Sequence, residues 1–133
     1  MITEDYVSFE TAKLLKENGF DDEYTNAFYD KRGILYFIDI LSDFSEHPDN
    51  DTDIAASTLY VAMKWLREVK EIVIEVSINF NIDDDYKWYY EYGFCIFQLS
   101  NTFKKIAECD YDGYKTYEEA CEAAIKYCLK NLI

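Results

Sequence analysis

One stretch of the chain alternates apolar and mostly polar side chains, namely Ile72-Val73-Ile74-Glu75-Val76-Ser77-Ile78-Asn79-Phe80-Asn81-Ile82. Every even-numbered position in it is isoleucine, valine or phenylalanine. A period of two residues is typical of a strand with one buried face and one face in water. Such strands favour an antiparallel sheet that is covered on one side. We therefore expect a strand over 72–82 whose even-numbered side chains are buried.

The chain before this strand predicts a helix and two strands. A helix is expected from Phe9 to Asn18, with Ser8 as its N-cap and Gly19 just after its end. Two β-rich runs follow, over about 23–29 and 34–41.

A short turn at 30–33 joins those two strands, with Gly33 in the left-handed conformation. Residues 42–56 are acidic and hold the sole proline, so we expect an exposed loop there. A second helix is predicted from about Thr58 to Val69, with either Ser57 or Thr58 as its cap.

The chain after residue 82 predicts a meander. The triple aspartate at 83–85 reads as a turn into an aromatic strand over 86–99, with a break or bulge at Gly93. A further strand is expected over about 102–109, and a last turn at 112–113.

The last helix is expected to run to about Asn131, because Thr116 and Glu119 have the spacing of a capping box. The element order is then αββαβββα. We predict an α+β fold with a mainly antiparallel sheet of about five strands and three helices packed on one face. A length of 133 residues fits a single domain over 1–133.

The composition is strongly acidic. The chain has 27 acidic and 13 basic residues and a formal net charge of −14. Such a surface repels phosphate backbones and anionic lipids, so we expect no direct nucleic-acid or membrane contact. It attracts basic protein surfaces. The N-terminus has no leader pattern and no run of apolar residues is long enough to span a membrane, which predicts a cytoplasmic protein.

Candidate ligand and catalytic groups are few. Asp49, Asp51 and Asp53 imitate the first ligands of an EF-hand loop, but Ile54 stands where glycine is needed and Tyr60 where glutamate is needed. An ordinary solvated loop is the favoured interpretation. We therefore predict no metal site, no cofactor and no catalytic residue.

Cysteine chemistry gives no stronger signal. The single histidine, His47, has to pair with a cysteine to form a nucleophilic site, and its predicted place in a loop disfavours that. No C-x-x-C motif is present, so we expect all four cysteines, Cys95, Cys109, Cys121 and Cys128, to be reduced thiols in apolar positions.

The aromatic strand supplies the candidate partner contacts. Its even-numbered aromatic residues share one face, which we expect to be core: Tyr86, Trp88, Tyr90 and Tyr92. Tyr89 is expected on the opposite face, exposed among charged neighbours, as interface aromatics often are. The candidate contact residues are Tyr89 and the turn residues Asp83, Asp84 and Asp85.

Three segments carry a resemblance to known proteins. They are Glu4-Asp5-Tyr6-Val7-Ser8-Phe9-Glu10, Ala62-Met63-Lys64-Trp65-Leu66-Arg67-Glu68, and the stretch from Glu119-Ala120 to Cys128-Leu129. These segments resemble small uncharacterised proteins of gut Bacteroidales and of their mobile elements or phages. The resemblance covers about a third of the chain and carries over no functional residue. What it implies is an accessory role in a mobile element.

Two functions are consistent with these features. The first is a small non-catalytic interaction module whose protein partner has a basic surface. The sequence is also compatible with a homo-oligomer. The alternative is a nucleic-acid mimic that inhibits a nuclease or a DNA-binding protein. An enzyme that uses carboxylates requires a pocket with at least two converging acids.

Overall fold

The protein is described by a computed structural model that covers residues 5–22, 25–38, 53–99 and 104–133. The chain divides into two compact units, Met1–Ala62 and Met63–Ile133. The described residues hold three helices and two three-stranded antiparallel sheets in an α+β arrangement. The prediction of one sheet of about five strands is therefore wrong, whereas the single domain over 1–133 stays a prediction.

The described residues of the first unit form helix α1, one small sheet and the start of a second helix. Its elements are α1 (Phe9–Glu17), β1 (Ala27–Tyr29), β2 (Leu35–Phe37) and β3 (Ile54–Ala55). The strand order is β2-β1-β3, with β1 antiparallel to both neighbours.

Helix α1 begins at Phe9 as predicted and has the predicted caps, and it ends at Glu17, one residue before the predicted end. The Ser8 hydroxyl accepts a hydrogen bond from the N–H of Thr11 at 3.2 Å. At the other end, Gly19 has φ +90° and its N–H donates to Lys16, while the N–H of Phe20 donates to Leu15. These two bonds form a Schellman end, which satisfies carbonyls that have no partner inside the helix.

The hairpin of this unit is confirmed, and the loop after it is partly wrong. Gly33 has φ +81° and closes the turn between β1 and β2. Part of the expected loop over 42–56 forms strand β3, in which Ile54 pairs with Tyr29. Ile54 and Ala55 are apolar and pair with the side of β1 that β2 leaves open. The hydrogen bonds and burial gained there favour a strand, although the segment before it is acidic. Residues 42–52 lie outside the described part of the chain.

Helix α2 (Leu59–Val69) leads from the first unit into the second. The Thr58 hydroxyl accepts a hydrogen bond from the N–H of Val61 at 3.2 Å. Thr58 is therefore the cap, and the alternative, Ser57, is buried.

The second unit contains the long strands. They are β4 (Ile72–Ile82), β5 (Trp88–Leu99) and β6 (Lys104–Tyr114), in the order β4-β5-β6, followed by α3 (Tyr117–Asn131). The bounds of β4 are those predicted. A register shift between β5 and β6 confirms the bulge at Gly93. The turn expected at 112–113 is wrong, because β6 continues through it to Tyr114.

Helix α3 covers the sheet of the second unit. The Thr116 hydroxyl accepts from the N–H of Glu119 at 3.1 Å, so the predicted cap is confirmed. The helix packs against all three strands of this sheet. Its buried face consists of Ala120, Cys121, Ala124, Ile125, Cys128 and Leu129. In the first unit α1 contacts β3, so the helices do not share one five-stranded sheet.

Candidate protein-interaction surface

A long hairpin projects beyond the third strand of the second unit. Strands β4 and β5 pair without interruption from Ile72↔Gln98 to Ile82↔Trp88. Strand β6 accompanies β5 only as far as the pair Tyr92↔Tyr114. Among the described residues, 79–91 therefore form a two-stranded ribbon, and we call residues 78–92 the arm.

One face of the arm is apolar and exposed. Directly opposed residues of an antiparallel pair share a face, and the pairs here are apolar on both strands. Phe80 is 69% exposed, Trp88 72% and Tyr90 58%. We define the apolar face as Ile78, Phe80, Ile82, Trp88 and Tyr90.

This exposure overturns two predictions. The even-numbered side chains of β4 were expected to be buried along the whole strand, and Tyr86, Trp88 and Tyr90 were expected in the core. The reason is length: the eleven residues of β4 span about 36 Å, whereas the fifteen residues of α3 span about 22 Å. The helix is too short to cover the strand.

The uncovered part of the sheet begins where α3 begins. The ring of Tyr117, the first residue of α3, lies 6.2 Å from the ring of Tyr92 and perpendicular to it. On the covered side of this contact, Phe94 and Ile96 are buried. On the other side, the same apolar alternation continues along the arm, where its side chains are exposed to solvent.

Ring contacts organise the arm. The rings of Phe80 and Tyr90 are 6.4 Å apart across the strands, and Tyr90 meets Tyr92 edge-on at 6.0 Å. Contacts of this kind contribute about 0.5–1.5 kcal/mol each. The rings of Phe80 and Tyr90 are therefore held in place before any partner arrives, which lowers the entropy cost of binding.

The exposed apolar area has the size of an interface. An aromatic side chain contributes about 150–250 Å² when fully exposed, so the five residues of the apolar face present roughly 600 Å² at their observed exposures. That value lies at the top of the range for the largest patch on a monomer, about 300–600 Å². It approaches the roughly 800 Å² that each partner contributes to a typical interface.

The turn at the tip is ordered by the first aspartate. Its side-chain Oδ1 accepts the N–H groups of Asp85 and Lys87, both at 2.9 Å. Its carbonyl accepts the N–H of Tyr86 at 3.0 Å. The predicted turn at 83–85 is confirmed: Asp83 builds it, and Asp84 and Asp85 are exposed.

Tyr89 lies on the other face of the arm, opposite Asn81. It is 42% exposed, so its predicted exposure is confirmed, and its role as a partner contact stays a prediction. The residues that the sequence interpretation missed are the even-numbered ones on the apolar face. The comparison of strand and helix lengths is the signal that reveals them.

A cleft in the first unit is lined by two carboxylates. Asp21 and Asp53 lie there with Lys16 and the rings of Phe20 and Phe28. The hydroxyl of Tyr36 donates a hydrogen bond to the carboxylate of Asp53, and burial together with this bond raises the pKa of Tyr36. The carboxylate of Asp53 is thus hydrogen-bonded to a side chain of strand β2.

The other candidate ligands are outside the described residues. Of the EF-hand-like aspartates, Asp49 and Asp51 lie there, as does His47. In the described part of the chain, no three histidine, cysteine, aspartate or glutamate side chains are grouped so that they could hold a metal ion.

The cysteine prediction is half right. Cys121 and Cys128 are buried free thiols, and burial raises their pKa values to about 11 and about 12. Cys95 and Cys109 instead form a disulfide, contrary to the expectation of reduced thiols. They are directly opposed on β5 and β6, a relation that depends on strand register and not on a sequence motif.

No known protein family, curated protein or solved structure matches this chain. Within the described residues, none of the helices has the length and apolar character that crossing a membrane requires. The surface chemistry of the arm is therefore the basis for a functional proposal.

Proposed function

We propose that this protein is a small, acidic, non-catalytic interaction module that binds a protein partner with a basic surface through the arm. The observation that carries the proposal is the uncovered apolar face, where Trp88 is 72% exposed. Exposed apolar area with a polar surround is typical of protein-binding sites. Tryptophan and tyrosine are the side chains most enriched among the residues that dominate binding energy.

The charge of the chain supports a basic partner. The tip of the arm carries Asp84 and Asp85 in exposed positions, and the whole chain has a formal net charge of −14. Opposite charges accelerate encounter and select among partners, while the apolar contact supplies most of the affinity. The resemblance to proteins of Bacteroidales mobile elements adds an accessory role in such an element to the proposal.

The test compares two exposed aromatic residues. The partner is captured from a lysate of a gut Bacteroidales bacterium, purified, and titrated calorimetrically against Trp88→Ala and against Tyr60→Ala. Tyr60 is 65% exposed on α2 and lies outside the arm, so it is the matched control. We expect Trp88→Ala to weaken binding at least tenfold, as loss of an interface tryptophan typically does, and Tyr60→Ala to leave it unchanged. Equal affinities of the two variants would contradict the proposal.

The nucleic-acid mimic makes a different prediction in the same experiment. If carboxylates substitute for phosphates, Trp88→Ala keeps its affinity and duplex DNA displaces the protein from its partner. Neutralising Asp84 and Asp85 to asparagine then abolishes binding. In the arm proposal these two substitutions slow association mainly at low salt, because exposed charges act over about a Debye length.

A further inference from the structure

The two outer strands of the second sheet differ in how they are protected. Strand β6 has five charged residues among its eleven, and two register shifts interrupt its pairing with β5. Strand β4 also has eleven residues, but only Glu75 is charged, and its pairing has no shift. Charges and bulges are the usual means of preventing further strands from joining a sheet edge. Strand β4 has one such charge and no register shift, so this protection is much weaker there.

The backbone of β4 presents hydrogen-bonding groups along this edge. Leu99 N–H donates to Glu71 C=O at 2.8 Å, and Asp83 N–H donates to Lys87 C=O at 2.9 Å. In an antiparallel pair, hydrogen-bonded and non-hydrogen-bonded residue pairs alternate. The odd-numbered residues of β4 therefore bond to β5, and the even-numbered residues direct their N–H and C=O groups away from it. Among the described residues, β4 pairs with no other strand.

The outward backbone groups coincide with the apolar face. Ile78, Phe80 and Ile82 supply both, so a strand added beside β4 continues the apolar face with its own alternate side chains. Among the described residues, the outer edge of β5 is unpaired from Trp88 to Glu91, and β6 pairs with β5 from Tyr92 onward. The edge of β4 is the longer of the two.

We propose that β4 accepts an extended segment of the partner by strand addition, and that apolar residues alternate with basic residues in that segment. This inference rests on the proposed function and specifies its mode of binding. The apolar residues of the segment lie beside Phe80 and its neighbours. Its basic residues lie on the other face, where Glu75, Asp83 and Glu91 outnumber Lys87.

Charge argues against a second copy of this chain as the occupant. In the register centred on Asn79, antiparallel pairing of two β4 strands sets Glu75 of one copy opposite Asp83 of the other. Like charges directly opposite each other destabilise a sheet, and two chains of net charge −14 repel at longer range. A basic segment is instead attracted to the acidic side chains along this edge.

The probe is a short fluorescein-labelled peptide in which valine alternates with lysine, and its binding is measured by fluorescence anisotropy. Control peptides replace lysine with glutamate, or carry N-methyl groups on alternate amides along one edge. We expect the lysine peptide to bind and both controls to fail. Amide exchange at Ile78, Phe80 and Ile82 is expected to slow on binding, because their N–H groups become bonded.

A matched pair of variants separates backbone from side chain. Phe80→Pro removes an N–H that does not bond to β5, a position where an edge strand tolerates proline. Phe80→Ala removes the ring alone. We expect Phe80→Pro to bind the peptide about tenfold more weakly than Phe80→Ala, as one lost intermolecular hydrogen bond implies.

The outcomes are distinguishable. If Trp88→Ala weakens binding to the natural partner while Phe80→Pro and Phe80→Ala bind the peptide equally, strand addition is wrong and the arm remains the contact surface. Absence of peptide binding, with unchanged amide exchange, also overturns strand addition. Slow exchange of the same amides in a dimer without peptide identifies a second copy as the occupant and overturns the choice of partner.

Discussion

Tyr86 is a strained residue at the tip of the arm, and replacing it with glycine should stabilise the protein. Its φ is +59°, in the left-handed region that costs a non-glycine residue about 1–2 kcal/mol. The same turn in the first unit has glycine there: Gly33 N–H donates to Asp30 C=O, just as Tyr86 N–H donates to Asp83 C=O. Glycine adds an unfolded-state entropy cost of about 0.5–1 kcal/mol. We therefore expect Tyr86→Gly to raise the free energy of unfolding by about 0.5–1 kcal/mol.

The side chain itself contributes little to folding, because Tyr86 is 88% exposed. The assay is urea denaturation with thermal unfolding alongside, where about 1 kcal/mol corresponds to a rise in Tm of roughly 3–5 °C. Glu71 is the matched control, since it is exposed, has φ +57° and lies outside the arm. Glu71→Gly should give a similar stabilisation.

Binding distinguishes the two variants. We expect Tyr86→Gly to weaken binding of the natural partner several-fold, because it removes an exposed ring at the tip, and Glu71→Gly to leave binding unchanged. If Tyr86→Gly lowers the free energy of unfolding while Glu71→Gly raises it, the ring is part of the fold and the strain argument fails.

Five further results are expected from the structure. Reduction of the Cys95–Cys109 disulfide should lower the free energy of unfolding by about 3 kcal/mol, as its sequence separation of 14 implies, and should raise the intact mass by two hydrogen atoms. The thiols of Cys121 and Cys128 should react with Ellman's reagent at neutral pH only after unfolding, because both are buried and protonated. Burial raises the pKa of Cys128 to about 12 from an ordinary value of 9.0, so its stabilising contribution is complete below pH 9.0 and is lost as the pH rises through about 12; Cys128→Ala should flatten this part of the stability profile. Thr116→Ala should cost about 1 kcal/mol through loss of the α3 cap, measured by urea denaturation. Raising the salt concentration to about 1 M should increase self-association in sedimentation velocity runs, because the Debye length shrinks to about 3 Å.

The local signals in the sequence were sufficient for the elements they govern. Ser8 and Gly19 mark the two ends of α1 in the sequence, because helix capping depends on a few adjacent residues. The alternation over 72–82 predicts both ends of β4 correctly, because side chains along a strand alternate between its two faces with a period of two residues. Thr116 began α3 for the same local reason.

The errors concern relations between distant segments. Strand β3 depends on whether β1 has a free side, and the Cys95–Cys109 disulfide depends on the register of β5 and β6. Neither the pairing of β3 nor the register of β5 and β6 can be predicted from a short sequence motif. The division into two sheets is of the same kind, because pairing is chosen among all the strands that the chain offers.

The candidate site was missed for a different reason. An apolar alternation shows which side chains share a face, but it does not show what covers that face. The pattern favours Tyr89 as a contact because it lies among charges, and it places Trp88 in the core because its neighbours at even positions are apolar. The structure reverses their relative exposure, 42% against 72%.

The acidic composition and the apolar arm are physically connected. A long, regular edge with exposed rings is a template for aggregation unless something keeps copies apart. Here the opposing force is the net charge of −14, which repels identical chains and attracts a partner of opposite sign. The same charge therefore protects the edge of β4 from self-pairing and directs it toward a basic segment. The arm can remain uncovered because the net charge of the whole chain supplies a repulsion between copies that the single charged residue of β4 does not.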